Sequence, residues 1–176
     1  LSGKSVSPDF TGSFFTSVTY KGFDVSTNFY FKYGNYIYNQ MEADMLSDGE
    51  NIADNQRLDA FNYWRNPGDT NVLPNPLLST DTNQASDRFL QDGSYLRLRS
   101  AEIGYTLPSK YSERLRLNSL RVYVQGQNLW TYALTFKGDP EVGIGSGETE
   151  QDARGEYNLY SYPTLQSFLF GVNVSF

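Results

Sequence analysis

Residues 164–176, T-L-Q-S-F-L-F-G-V-N-V-S-F, constrain the fold of this chain more than any other stretch. Phe168, Phe170, Val172, Val174 and Phe176 share one parity, while Ser167, Gly171, Asn173 and Ser175 share the other. Successive side chains of a strand point to opposite faces, so this is a strand with one apolar face and one small polar face. Terminal residues of a soluble domain are usually loosely held, and a strand this regular, ending on Phe176, asks for apolar surroundings. A transmembrane β-barrel supplies them, because its lipid-facing and lumen-facing side chains alternate.

Four earlier segments alternate in the same way, giving expected strands at about 11–20, 23–33, 95–107, 119–129 and 164–176. Phe23, Val25, Thr27, Phe29, Phe31 and Tyr33 oppose Asp24, Ser26, Asn28, Tyr30 and Lys32, and Lys21-Gly22 alone separates this strand from the one before it. That is hairpin spacing, with a glycine available for positive φ. In the third strand Leu96 and Leu98 are out of step with Ala101, Ile103, Tyr105 and Leu107. One inserted residue restores a face after such a slip, so a β-bulge is expected near Ser100.

The connections alternate strictly between short and long. Lys21-Gly22 and residues 108–118 are short, whereas 34–94 and 131–163 are long. Bacterial outer-membrane barrels show this asymmetry, with short periplasmic turns and long extracellular loops. It makes the loops at about 34–94 and 131–163 extracellular and the C-terminus periplasmic. Within the first loop, Leu58 and Phe61 are at near-helical spacing and Pro67-Gly68 follows, so a helix of one to two turns is expected there.

Composition narrows the function. Among 176 residues there are 14 Tyr and 12 Phe, yet the mean hydropathy is negative, so apolar surface is spread along alternating segments. No run approaches the roughly 18 apolar residues of a spanning helix, and a spanning strand needs only about 9–11. A net charge of −6 argues against nucleic acid as a partner. With no Cys and no His, disulfides, thiolate sites and the commonest general base are absent from the chain. No targeting leader is visible in these residues.

Several ordered blocks then resemble the C-terminal part of the SusC/RagA-type TonB-dependent transporters of Bacteroidetes outer membranes. They are Tyr20-Lys21-Gly22-Phe23-Asp24 with Gly34-Asn35-Tyr36-Ile37-Tyr38-Asn39; Trp64-Arg65-Asn66-Pro67-Gly68-Asp69; and Asp92-Gly93-Ser94-Tyr95-Leu96-Arg97-Leu98-Arg99 running into Gly104-Tyr105-Thr106-Leu107-Pro108. The likeness continues through Leu120-Arg121-Val122-Tyr123-Val124-Gln125-Gly126-Gln127-Asn128-Leu129 and Asp139-Pro140-Glu141 to Phe176, covering essentially the whole chain.

The resemblance implies an all-β chain that supplies the C-terminal strands of a large antiparallel transmembrane barrel, about 22-stranded when complete. Five strands cannot close a barrel, whose smallest single-chain form has about eight. The chain is therefore expected to be a fragment, or one piece of a split polypeptide. The implied function is nutrient import across the bacterial outer membrane, taking up oligosaccharides or peptides with a SusD-like lipoprotein as lid. The other implied partners are the TonB energy-coupling protein, acting through parts outside this chain, the remaining barrel and plug, and outer-membrane lipid. The resemblance implies neither a cofactor nor an enzymatic activity. A non-transporting surface or adhesin-like binding protein is the alternative of another class.

The candidate contact residues each have a second, structural reading. Arg97 and Arg99 suit contact with polar or anionic substrate, or pairing with carboxylates of neighbouring strands and the plug. Tyr63, Trp64 and Trp130 suit stacking on sugar rings, or anchoring of the loop helix by Trp64 and of the membrane interface by Trp130. Tyr20, Tyr33 and Tyr105 suit the same aromatic girdles. Asp139 and Glu141 are loop carboxylates open to substrate or partner contact; glycoside hydrolysis uses paired carboxylates, but nothing singles out these two for it. The run 47–51 with Asp44 and Asp54 offers oxygens for Ca²⁺ but lacks EF-hand spacing. Phe176 is expected to belong to the barrel-assembly signal. The Asn173-Val174-Ser175 acceptor pattern lies inside a membrane strand and is discarded.

Overall fold

The computed structural model describes residues 3–46, 55–70, 73–75, 86–141, 156–157 and 162–176. In chain order these form β1 (Phe10–Tyr20), β2 (Phe23–Tyr33), β3 (Tyr36–Asn39), α1 (Gln40–Met45), β4 (Leu90–Asp92), β5 (Tyr95–Thr106), α2 (Ser109–Ser112), β6 (Ser119–Ala133), β7 (Glu156–Tyr157) and β8 (Ser167–Ser175), with short 3₁₀ turns between. They divide into two compact units.

The first unit is a five-stranded antiparallel sheet in the order β1-β2-β5-β6-β8. Lys21 (φ 49°) and Gly22 (φ 88°) both adopt positive φ, the requirement of a two-residue primed turn whose twist matches its flanking strands. Side chains opposite one another across the ladder share a face, so the register carries the alternation through the whole sheet. Val18, Val25, Ile103, Val124 and Phe170 form one transverse row, and Val122 with Val172 continues the next. The rows nearest the ends of this face are aromatic. Phe23 lies 4.5 Å from Tyr105 between ring centroids, Phe10 stacks on Tyr33 at 4.9 Å, and Trp130 stacks on Tyr132. Ten residue steps in β1 or β2 rise about 33 Å, which a strand tilt near 45° reduces to about 23 Å, close to the roughly 25 Å apolar band of an outer-membrane barrel.

The slip in β5 is a bulge at Arg99. Asn28 opposes Ser100 whereas Phe29 opposes Leu98, leaving Arg99 as the extra residue. On the other side of β5, Leu98 opposes Trp130 and Ser100 opposes Gln127. Asn128 there takes a left-handed conformation (φ 53°), so both strands are irregular at one level and β6 runs on to Ala133, beyond the expected 129. A Cβ at Gly126, beside this kink, would lie 2.6–3.0 Å from the Leu129 side chain, which would have to turn away to admit it. β8 begins at Ser167 and not at 164. The Thr164 N–H is committed elsewhere, to the Asp139 carboxylate at 2.8 Å.

The second unit holds residues whose sequence pattern reads as loop. β3 pairs antiparallel with β4 and parallel with β7, and α1 follows β3 directly. Asn39 caps α1 by accepting the Glu42 N–H at 3.0 Å, and its side-chain Nδ2 donates to the Glu42 carboxylate at 3.4 Å. Glu42 also receives Gln91 and, at 3.0 Å, Arg57. Ile37, Ala43, Leu73 and Phe89 are buried in this unit. The helix expected around residues 57–64 is a single 3₁₀ turn, Leu58–Phe61. The i,i+3 spacing of Leu58 and Phe61 fits either helix type, and Asn62 (ψ 55°) leaves helical geometry at once.

Candidate functional site

The polar face of the five-stranded sheet collects the ionic residues. Because a bulge puts two successive residues on one side of the sheet, Arg99 and Ser100 both join Arg97 on this face. Lys32, Tyr30, Asp24, Glu102, Arg121, Gln125 and Gln127 share it by register. Phe15, Ala133 and Leu169 are its apolar exceptions.

Near the hairpin end, three strands meet in a charge cluster. The Arg121 guanidinium donates through Nε to Asp24 Oδ1 at 3.0 Å, through Nη2 to Asp24 Oδ2, and through Nη2 to Glu102 Oε1 at 2.6 Å. Two parallel donors on one carboxylate fix orientation as well as charge. No local pattern in the sequence discloses this cluster, since Asp24 and Arg121 are 97 residues apart. The signal that could find it is parity: each residue occupies a polar-face position of its strand.

Near the long-loop end, Arg97 is 2% exposed and Asp139 8%. Arg97 Nη2 donates to Asp139 Oδ1, Nη1 donates to Thr164 Oγ1 at 3.2 Å, and the Thr164 N–H donates to the second Asp139 oxygen. One guanidinium thus ties both stems of the second long connection to the wall. Two amides brace the same region. Asn128 donates to the Leu165 carbonyl at 3.1 Å and Gln166 to the Leu129 carbonyl at 3.0 Å. A recess of about 290 Å³ opens among Arg97, Asn128, Trp130, Asp139, Thr164 and Gln166.

Arg97, Arg99 and Asp139 therefore fall within one sheet unit, and Arg97 meets Asp139 directly. Arg99 is exposed, and its guanidinium lies over the Tyr30 ring at 3.9 Å. Trp130 belongs to the same unit but stacks on Tyr132 on the apolar face, 48% exposed. Glu141 falls in the other unit, and Asp139 has both oxygens engaged in holding the loop stems. Phe176 lies just past β8, 88% exposed.

Tyr63 and Trp64 belong to the second unit. Tyr63 bridges Leu73, the Trp64 N–H donates to the Leu73 carbonyl at 2.8 Å, and Arg65 lies 4.8 Å over the Tyr63 ring. The following turn is closed by Asp69, whose carboxylate accepts the Asn66 N–H at 2.9 Å and the Arg65 N–H at 3.0 Å. These backbone donors hold its pKa below the ordinary carboxylate value. The run 47–51 and Asp54, considered for Ca²⁺, lie outside the described residues. Asp44 accepts a hydrogen bond from Gln40 at 2.6 Å. Among the described residues no cluster of three or more acidic side chains could hold a metal ion.

No family model matches the chain. It is 33% identical over 174 residues to TonB-dependent receptor P3 of Formosa agariphila, covering 96% of this chain and 16% of that protein. It is 28% identical to TonB-dependent receptor P26 of the same organism, again over 96% of this chain and 17% of the relative. The chain thus spans about a sixth of the length of these curated relatives. Its fold is similar to a chain of the RagAB peptide importer in the closed-closed state, with TM-score 0.79, 23% identity, and coverage of 99% of this chain and 18% of that one. The open-open state of the same importer gives a TM-score of 0.77 at 23% identity, with coverage of 98% and 18%.

Proposed function

The chain belongs to the TonB-dependent receptors and has the fold of the SusC/RagA-type barrel, and from that premise we propose that it forms part of an outer-membrane importer working with a SusD-like surface lipoprotein. The cargo is oligosaccharide or peptide. The carrying observation is the mainly apolar face across β1, β2, β5, β6 and β8, bordered by aromatic rows and backed by a face of ionic and amide side chains. Such a sheet is suited to lipid on one side and a wet lumen on the other.

In this reading the connections holding residues 34–94 and 131–163 are extracellular and the hairpin end is periplasmic. The lipoprotein and the outer connections capture cargo, the periplasmic TonB protein acts through a plug outside this chain, and the polar wall passes cargo inward. The mechanism is physical, with no covalent step. Arg97 and Asp139 serve it by fixing the loop stems, and Arg99 faces the passage.

Fractionation and uptake test this reading. The full-length parent protein should sediment with outer membranes, require detergent for release and co-purify with a surface lipoprotein. Its deletion should abolish accumulation of at least one labelled oligosaccharide or peptide. Recovery in the soluble fraction without detergent would sink the proposal. Unchanged uptake with retained surface location would favour the adhesin-like alternative.

A further inference from the structure

The charge balance of the wall is opposite to that of the chain. The chain has 14 basic and 20 acidic residues, yet the five strands of the sheet carry four cations, Lys32, Arg97, Arg99 and Arg121, and two anions, Asp24 and Glu102. Both anions are gathered on Arg121 toward the hairpin end. Toward the long-loop end the ionic side chains of the strands are all cations, and Asp139 reaches Arg97 from a loop stem. A wall on which one sign of charge is in excess raises the local concentration of oppositely charged solute.

From this placement we propose that Arg99 is a carboxylate-recognition residue of the lumen wall and that the cargo includes acidic peptides. The inference rests on the importer reading above. Three observations on Arg99 carry it. The bulge lifts it out of the regular ladder onto the polar face beside Ser100. The Tyr30 ring, 3.9 Å below its Cζ, supports the guanidinium. The side chain is exposed while its neighbour Arg97 is buried in the loop clasp. Stacking on a ring fixes the plane of a guanidinium, and its fork of in-plane N–H groups matches a carboxylate with two parallel bonds.

The surroundings favour peptide over sugar. Sugar recognition uses open aromatic faces, and of the tyrosine rings nearest Arg99, Tyr30 is covered on one face by Arg99 and Tyr95 is buried. Beside Arg99 runs a row of Asn28, Ser100, Gln127 and Ser167, closed on the β1 side by the exposed Phe15 ring. These amides and hydroxyls both donate and accept, matching a peptide backbone.

The test is equilibrium binding to the full-length transporter with its lipoprotein, using a dansyl-labelled peptide with two glutamates and a free C-terminus. Its counterpart has glutamines and a C-terminal amide, and oligogalacturonate with its methyl ester forms a second pair. The wild type should prefer the acidic peptide by about tenfold at low salt, the scale of one charge-assisted bidentate contact. Arg99→Gln should erase most of that preference, and Arg99→Lys should keep part of it by retaining charge without the planar fork. Heat-modifiable migration of both variants on gels verifies that their barrels are intact. Equal affinity for the two peptides, or an unchanged preference in Arg99→Gln, overturns the proposal. A carboxylate preference confined to oligogalacturonate overturns the assignment to peptide. The importer reading fails separately, if cells making the full-length protein accumulate no cargo although the binding preference persists.

Discussion

The sheet of β1, β2, β5, β6 and β8 and the smaller unit around β3 and α1 solve the same burial problem in opposite senses. The smaller unit encloses Ile37, Ala43, Leu73 and Phe89 and turns charged groups such as Arg57 and Asp59 outward. The sheet leaves Val25, Ile103, Val122, Phe168, Phe170 and Val172 exposed along one face while Arg97 is almost fully enclosed. Water accounts for the first arrangement through the ordinary hydrophobic effect. Lipid accounts for the second, since hydrocarbon outside removes any penalty for exposed apolar groups and a lumen inside rewards polar ones. The two units therefore respond to different solvents, and substitutions should separate them.

The largest expected effect strikes the enclosed charge. Asp139→Ala leaves Arg97 buried without the carboxylate that now holds it, a loss of about 3–5 kcal/mol for a buried pair. Urea unfolding of the full-length barrel in vesicles measures it, and the double variant Arg97→Leu/Asp139→Leu should recover most of the loss. A cost below about 1 kcal/mol, the range of exposed ion pairs, would mean that lumen water solvates Arg97 and that the two units differ less in their surroundings.

Next comes the apolar face. Ile103 sits mid-sheet between Val25 and Val124, so Ile103→Arg should destabilise the membrane-inserted barrel by about 2–4 kcal/mol. Gln125, opposite Glu102 on the other face, provides the control, and Gln125→Arg should leave the yield of heat-modifiable barrel near wild type. Equal losses from the two would erase the distinction between faces. In the smaller unit Ile37→Ala removes a wholly buried side chain. Its cost should be about 2 kcal/mol, the low end for such truncations because a core of few residues can collapse around the gap. It should raise protease sensitivity of that unit while leaving barrel yield intact.

How far the sequence discloses this arrangement depends on the range of the interaction concerned. The faces of the strands are legible because alternation is local, and Lys21-Gly22 announces its turn because two positive φ values have few sequence solutions. The slip between Leu98 and Ala101 likewise exposes the bulge at Arg99. The Asp24–Arg121–Glu102 cluster and the Arg97–Asp139–Thr164 clasp depend on pairings set by sheet register between distant segments, which no local pattern encodes. Residues 34–94 read as loop, although they hold β3, β4 and α1, for a related reason. β3 is four residues and β4 three, too short for a period to emerge, and both are held by partners remote in the chain.

The smallest effect expected lies in the turn after Trp64, where residues 65–70 of the second unit are exposed. Asp69 accepts two backbone N–H groups, from Asn66 and Arg65, which favour its ionised form and lower its pKa. A carboxyl whose folded pKa is depressed contributes stability that is fully present above the unfolded value, about 3.9. That contribution is lost as pH falls through the lower folded value. Protection of the Arg65 and Asn66 amides against hydrogen exchange, corrected for intrinsic rates, should hold at pH 5 and fall only below the ordinary carboxylate range. Asp69→Asn should weaken protection at pH 5 and above, where the wild-type carboxyl is ionised, and remove its dependence on acid below that. Sheet amides such as those of β5 should show neither change, because their acceptors are carbonyls that do not titrate. Parallel acid sensitivity in β5 would show that the turn and the wall open together, which two units responding to separate solvents should not do.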